Sequence, residues 1–214
     1  MTKKFTTVVF DLDGTLIDGS EDIADALNKA LAQHATGQVT TEQVAAALGG
    51  GPRVLVEKCL AAAEITTTEE TLDAILTDYS TNYVAAPANK TRLFDTADDV
   101  LPELRRRGIV LGICTNKRTA ITELVLTKLA IRDYFGAVIG SDTASRTKPN
   151  PAHLIETAQA LGVPLDDVLY VGDTTIDSAT ASAAGVAYAH VAWGQPAIDT
   201  EYPLTSFDDL LALF

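Results

Sequence analysis

Two hydrophobic rhythms divide the chain. Phe5 to Phe10, FTTVVF, is dense in β-branched and aromatic residues and predicts a buried strand. From Ser20 the period changes. SEDIADALNKALAQH spaces its apolar residues as a helix does, behind a serine that reads as the N-cap. TEQVAAALGGGP predicts a short helix stopped by glycines and a proline. PRVLVEKCLAAA restarts a helix with Pro52 in its first turn, where proline is tolerated, and TTEETLDAILTDYSTNYVAA predicts another. No strand is predicted between Ser20 and about Ala86.

After Pro87 the rhythms alternate. TADDVLPELRRRG predicts a helix ending in basic residues and Gly108, as the helix dipole favours. IVLGICTN, FGAVIGSD, DVLYVGD and VAYAHVAWG predict strands. Between them RTAITELVLTKLA, NPAHLIETAQALG and TIDSATASAAG predict helices, and SFDDLLALF a closing one. Strand–helix alternation implies parallel βαβ units. The expected fold is α/β: a doubly wound parallel sheet with a Rossmann-like core from residues 1–17 and 87–214. A small all-helical domain, residues 18–86, is inserted after the first strand.

A net charge of −13 argues against nucleic acid or an anionic membrane as partner. It also means that an anionic substrate needs local positive charge from a metal or a lysine. Cys59 and Cys114 fall in a helix and at a strand end, without the spacing of a disulfide framework or a zinc site. The N-terminal stretch lacks a signal-peptide pattern, and no apolar run reaches membrane-spanning length, so a cytoplasmic protein is expected.

Chemistry collects where ligands bind in an open parallel sheet, beyond the carboxyl ends of the strands. Asp11 and Asp13 follow the first strand, Thr115 and Asn116 follow IVLGIC, Lys148 follows VIGSD after a short loop, and Asp173 and Asp177 follow VLYVG. Carboxylates around an open position suit Mg²⁺, a hard cation that takes oxygen ligands. The cation would also offset the repulsion among those carboxylates. A carboxylate can attack phosphorus to form an aspartyl phosphate. A second carboxyl two residues on can protonate the leaving oxygen and then activate water. Thr115 and Asn116 can donate hydrogen bonds to the moving phosphoryl group, and Lys148 supplies a point charge. Singly, each motif also reads as a turn or a helix cap. Their joint occurrence, in order and each at a strand end, is the signal.

DLDGTL, CTN, KPNP and GDTTID resemble, in order, the four motifs of the haloacid dehalogenase superfamily, and the resemblance spans nearly the whole chain. It is nearest to the superfamily's phosphatase branch with a helical cap after the first strand, and within it to phosphoglycolate phosphatases, which GGGPRVLVEKCL and TNK resemble. The resemblance implies Asp11 as nucleophile, Asp13 as general acid and base, Thr115 as phosphate-binding hydroxyl and Lys148 as motif lysine. It implies Mg²⁺ held by Asp11, by the Asp13 backbone carbonyl and by Asp173, with Asp177 as a further ligand or an outer partner. The substrate would be a small phosphorylated metabolite, and the protein a monomer or homodimer. Dehalogenases of the superfamily lack the second aspartate, so Asp13 argues for phosphoryl transfer. Phosphonate-cleaving members use a cap lysine; Lys29 and Lys58 match by type only and read as solvated surface.

In the cap, Gly50, Gly51 and Arg53 open a helix whose N-terminus can take an anion, and Arg53 can grip a second anionic group of the substrate. Equally, the glycines can simply join two helices and leave Arg53 in solvent. An arginine there also resembles phosphosugar mutases, so a mutase or a sugar-phosphate phosphatase is the alternative on this scaffold. A catalytically idle binding module is the alternative of another class. Where the chain re-enters the core, many phosphoglycolate phosphatases have Tyr-Pro-Gly; this chain reads TRLFDTADD. His34 and His153 read as helix-surface residues, His190 as a strand-end residue, and Trp193 as packing.

Overall fold

The computed structural model describes residues 5–194 and 198–214. They group into two compact units, Met1–Ile17 with Leu93–Phe214, and Asp18–Arg92. Strand β1, Thr7–Phe10, is buried along its whole length. The chain leaves the first unit through β2, Ile17–Asp18, which pairs with the returning β3, Arg92–Leu93.

Between these strands lie the helices α1 (Ser20–Gln33), α2 (Thr41–Ala47), α3 (Pro52–Ala62) and α4 (Glu69–Ala85). Ser20 is not the cap of α1. Gly19 holds that position, and the Asp18 carboxylate instead accepts from the Ser20 N–H at 3.2 Å. A true capping box opens α2, where Thr40 and Gln43 exchange side-chain to backbone bonds. Residues 87–92, which the sequence pattern groups with the α/β part, fall in the helical unit. Asp22 of α1 ties them there, its Oδ2 accepting from the N–H groups of Lys90 and Thr91 and from the Thr91 hydroxyl at 2.7–2.9 Å.

The first unit continues with α5 (Ala97–Arg106), β4 (Val110–Cys114), α6 (Thr119–Lys128), β5 (Ala137–Ile139) and α7 (Ala152–Leu161). It closes with β6 (Val168–Gly172), α8 (Thr175–Ala184), β7 (Ala187–Val191), β8 (Tyr202–Leu204) and α9 (Asp208–Leu211). The sheet order is β5-β4-β1-β6-β7-β8, and every pair is parallel. Strand β8 escapes the sequence pattern because it is short and contains Pro203, and proline sits only at a sheet edge, where β8 lies.

From β1 the order runs outward through β4 to β5, then the chain crosses to β6 on the other flank of β1. That reversal puts the topological switch point at the carboxyl end of β1, where such sheets bind ligands. Strands β1, β4 and β6 are covered on both faces, which explains their unbroken apolar runs. Among the described residues no helix is long and apolar enough to cross a membrane.

Candidate active site

The sheet ladder carries the first aspartate into place. Asp11 N–H donates to the Val171 carbonyl at 2.9 Å, one residue past the end of β1. Thr115 N–H likewise donates to Ile139 at 3.1 Å, beyond β4. Leu12 is wholly buried between Asp11 and Asp13, as the two-residue alternation of extended chain demands. The turn then closes on itself, with Gly14 N–H donating to Ile17 at 2.9 Å. Gly14 has φ +87, a region unfavourable to other residues, and a Cβ there would stand 2.4 Å from Asp173 Oδ2. Glycine at position 14 is thus demanded twice, by the turn and by the approach of Asp173. Thr15 completes the link, donating its hydroxyl to Asp173 Oδ1 at 2.8 Å.

Asp11, Asp173 and Asp177 are buried and offer carboxylate oxygens within 4.8 Å of one another. One cation of the chain stands among them. Lys148 Nζ lies 2.9 Å from Asp11 Oδ1 and 2.6 Å from Asp177 Oδ1, and also donates to the Tyr170 hydroxyl at 2.9 Å. Tyr170 in turn lies 2.8 Å from Asp177 Oδ1 and 3.2 Å from the Cys114 carbonyl. Asp177 is used up by the protein: its Oδ2 accepts from the N–H and hydroxyl of Thr174, 3.1 and 2.5 Å away, at the start of α8.

The electrostatics follow. Burial lifts the Asp11 carboxyl to about 6, with Lys148 opposing and Asp177 adding to the rise. Burial, then the charges of Asp11 and Asp177, hold Asp173 well above the usual carboxylate range. Burial also acts upward on Asp177, but Lys148 and the hydroxyl donors outweigh it and leave that carboxyl low. Burial alone would depress Lys148; its two carboxylate partners drive it well above the ordinary lysine value. Three carboxylates with one ammonium are short of positive charge. A divalent cation fits this donor set, and oxygen-only ligands suit Mg²⁺.

Asn116 is bonded to the backbone of Lys148. Its amide N–H donates to the Lys148 carbonyl and its Oδ1 accepts from the Lys148 N–H, both at 3.1 Å. The side chain is therefore an anchor for the lysine loop. Lys117, which the sequence pattern does not single out, lies beside Asp13, with Nζ 2.9 and 3.1 Å from its two oxygens. The signal was a lysine directly after a strand-end Thr-Asn pair.

The remaining substrate-binding candidates, Gly50, Gly51 and Arg53, lie in the helical unit. Gly51 has φ +85, and a Cβ on Gly50 would stand 2.5 Å from Val54 Cγ1, so the glycines serve the α2–α3 junction. Arg53 pairs with Glu57 and Glu69 at 3.3 and 3.4 Å and with Asp73. His34 bonds Asp78 at 2.9 Å. His153 is not a surface residue: it is fully buried in the first turn of α7, and its Nε2 donates to the Ile139 carbonyl at 3.1 Å. His190 is buried in β7. Trp193 packs its ring on Phe94 and Phe207, with centroids 5.5 and 4.9 Å away.

The profile of the haloacid dehalogenase-like hydrolases matches residues 8–191. A phosphoglycolate phosphatase of Cereibacter sphaeroides is 37% identical over 182 residues, covering 85% of this chain and 83% of that protein. One from Caulobacter vibrioides is 34% identical, covering 88% and 79%. Among solved structures, one from Haemophilus somnus described as "a predicted phosphoglycolate phosphatase" superposes with a TM-score of 0.91 at 26% identity, over 100% of this chain and 99% of that one.

Proposed function

The chain belongs to the haloacid dehalogenase-like hydrolase family, and from that premise we propose a Mg²⁺-dependent phosphomonoester hydrolase that acts on 2-phosphoglycolate. The observation that carries the proposal is the setting of Asp11. It is a buried carboxylate at the switch point of the sheet, paired with Lys148 and two residues from a second carboxyl on a rigid turn. The substrate class comes from the named relatives.

In this reading Asp11 attacks the phosphorus atom through one carboxylate oxygen. The bond from phosphorus to the ester oxygen breaks, and Asp13 gives that oxygen a proton. An aspartyl phosphate on Asp11 remains. Asp13, now a carboxylate, takes a proton from water, the water oxygen bonds to phosphorus, and inorganic phosphate leaves with Asp11 restored. Lys148 holds Asp11 oriented and its charge faces the phosphoryl oxygens as they gain electron density. The Thr115 hydroxyl donates to the same group. Asp11, Asp173 and the Asp13 carbonyl would hold Mg²⁺, with Asp177 behind them. The cation, when bound, supplies the positive charge that lets a dianionic ester approach these carboxylates.

Phosphate release from a panel of esters, including 2-phosphoglycolate and hexose phosphates, tests the reading. Preference for phosphoglycolate, lost with EDTA and with Asp11→Asn, is the expected result. An isomer in place of inorganic phosphate would move the chain to the mutases. Turnover that survives Asp11→Asn would overturn the mechanism.

A further inference from the structure

The pair Trp193–Gly194, just after β7, has no part in the reaction as written, yet it reaches Asp173 by two routes. The first is a hydrogen-bond chain. Trp193 Nε1–H donates to the Thr15 carbonyl at 3.2 Å, and the Thr15 hydroxyl donates to Asp173 Oδ1 at 2.8 Å. The indole is aimed by its packing between Phe94 and Phe207. The second is direct contact. A Cβ on Gly194 would stand 2.5 Å from the Asp173 Cβ, 2.8 Å from its carbonyl oxygen and 2.9 Å from its Cα. None of these atoms is the end of a flexible side chain, so nothing there can swing aside. Gly194 is itself anchored, its N–H donating to Val191 at 3.1 Å.

Asp173 needs such support. It is buried beside two other carboxylates, and an unheld side chain in that field would turn away from them. Gly194 fixes its backbone, Thr15 fixes one oxygen, and the Gly14 turn leaves room for the other. We propose that Trp193 and Gly194 are positioning residues for the cation site, setting Mg²⁺ affinity by holding Asp173 in its ligating orientation. The inference rests on the reading of Asp173 as a Mg²⁺ ligand given above. Outer partners of metal ligands commonly alter affinity by about 10- to 100-fold when removed.

The experiment titrates Mg²⁺ alone into the full chain by calorimetry, for wild type, Gly194→Ala, Trp193→Phe and an Asp173→Asn control. Trp193 is the single tryptophan of the chain, so its fluorescence follows the same titration wherever it is retained. Wild type should bind with a change in that fluorescence, and Asp173→Asn should show neither. Gly194→Ala should weaken binding by about tenfold or more, with a lower Tm in EDTA because its Cβ has no room, and Trp193→Phe should weaken binding by a smaller factor. Wild-type affinity in folded Gly194→Ala and Trp193→Phe would overturn the inference and leave the metal reading standing. A wild type that binds no Mg²⁺ would overturn the metal reading, and this inference with it. Should Gly194→Ala not fold, Trp193→Phe decides alone, because it keeps an aromatic ring between Phe94 and Phe207 while removing the indole N–H.

Discussion

Lys117 Nζ grips both carboxylate oxygens of Asp13, at 2.9 and 3.1 Å, across 104 residues of sequence. Both side chains are largely shielded, 8% and 14% exposed, so water screens the pair weakly. The contact fixes how the Asp13 carboxyl is turned, and a group that transfers protons works only when it is aimed. Lys117→Met should lower kcat on phosphate esters by on the order of tenfold. Steady-state rates beside a thermal melt check this; an unchanged kcat would remove Lys117 from the machinery.

Ionising Asp173 works against the fold. Burial and the charges of Asp11 and Asp177 raise its folded-state proton affinity. The ionised form therefore costs stability at neutral pH, and the cost fades as pH falls. Asp173→Asn should raise the stability of the Mg²⁺-free chain by on the order of 1 kcal/mol while abolishing turnover. Urea unfolding in EDTA at pH 7.5 reads it, and a lower midpoint for the variant would contradict the account.

His153 should make the protein acid-sensitive. Burial lowers its folded-state value from 6.5 to about 4, and its Nδ1 has no hydrogen-bond partner among the described residues. Above pH 6.5 both folded and unfolded forms are neutral at this residue, so its full contribution is present. As pH falls from there toward 4, only the unfolded chain takes the proton and stability drains away. At pH 5 the loss should be about 2 kcal/mol. His153→Gln, which can still donate to Ile139, should remove this part of the slope when unfolding free energies at pH 7.5 and 5 are compared. Equal slopes in the two proteins would exclude His153 as the source.

Thr96 precedes α5 with φ +66, an unfavourable conformation for a β-branched residue, and its buried hydroxyl has no partner among the described residues. Thr96→Gly should stabilise the protein by about 0.5–1 kcal/mol, because relief of strain exceeds the added freedom of the unfolded chain. A fall in Tm would show that the threonine makes contacts worth more than its strain.

Much of the core and its site was legible in the chain because the signals are local. Unbroken apolar runs mark β1, β4 and β6 as strands covered on both faces, and residues that follow a parallel strand lie on the ligand rim. That rule puts Asp11, Thr115 and Asp173 at strand ends, whereas Lys148, well past the end of β5, is brought to Asp11 by the fold. What resisted was whatever depends on a neighbour. β8 is short, carries Pro203 and exists only because β7 offers it an edge. His153 sits in an ordinary helical pattern and is buried only because α7 turns it onto the Ile139 carbonyl.

By itself, then, the sequence determined the order of the helices and of strands β1, β4, β5, β6 and β7, the acidic rim and the glycine turn after β1, since each is a property of consecutive residues. Tertiary structure decided the partnerships. It gave Asp177 to Lys148, Tyr170 and Thr174, gave the Asn116 amide to the lysine loop, brought Lys117 to Asp13 and laid Gly194 against Asp173. Periodicity reports which face of an element is apolar. Which charges meet across those elements depends on strand order and on how closely backbones approach, and only the packed chain sets both.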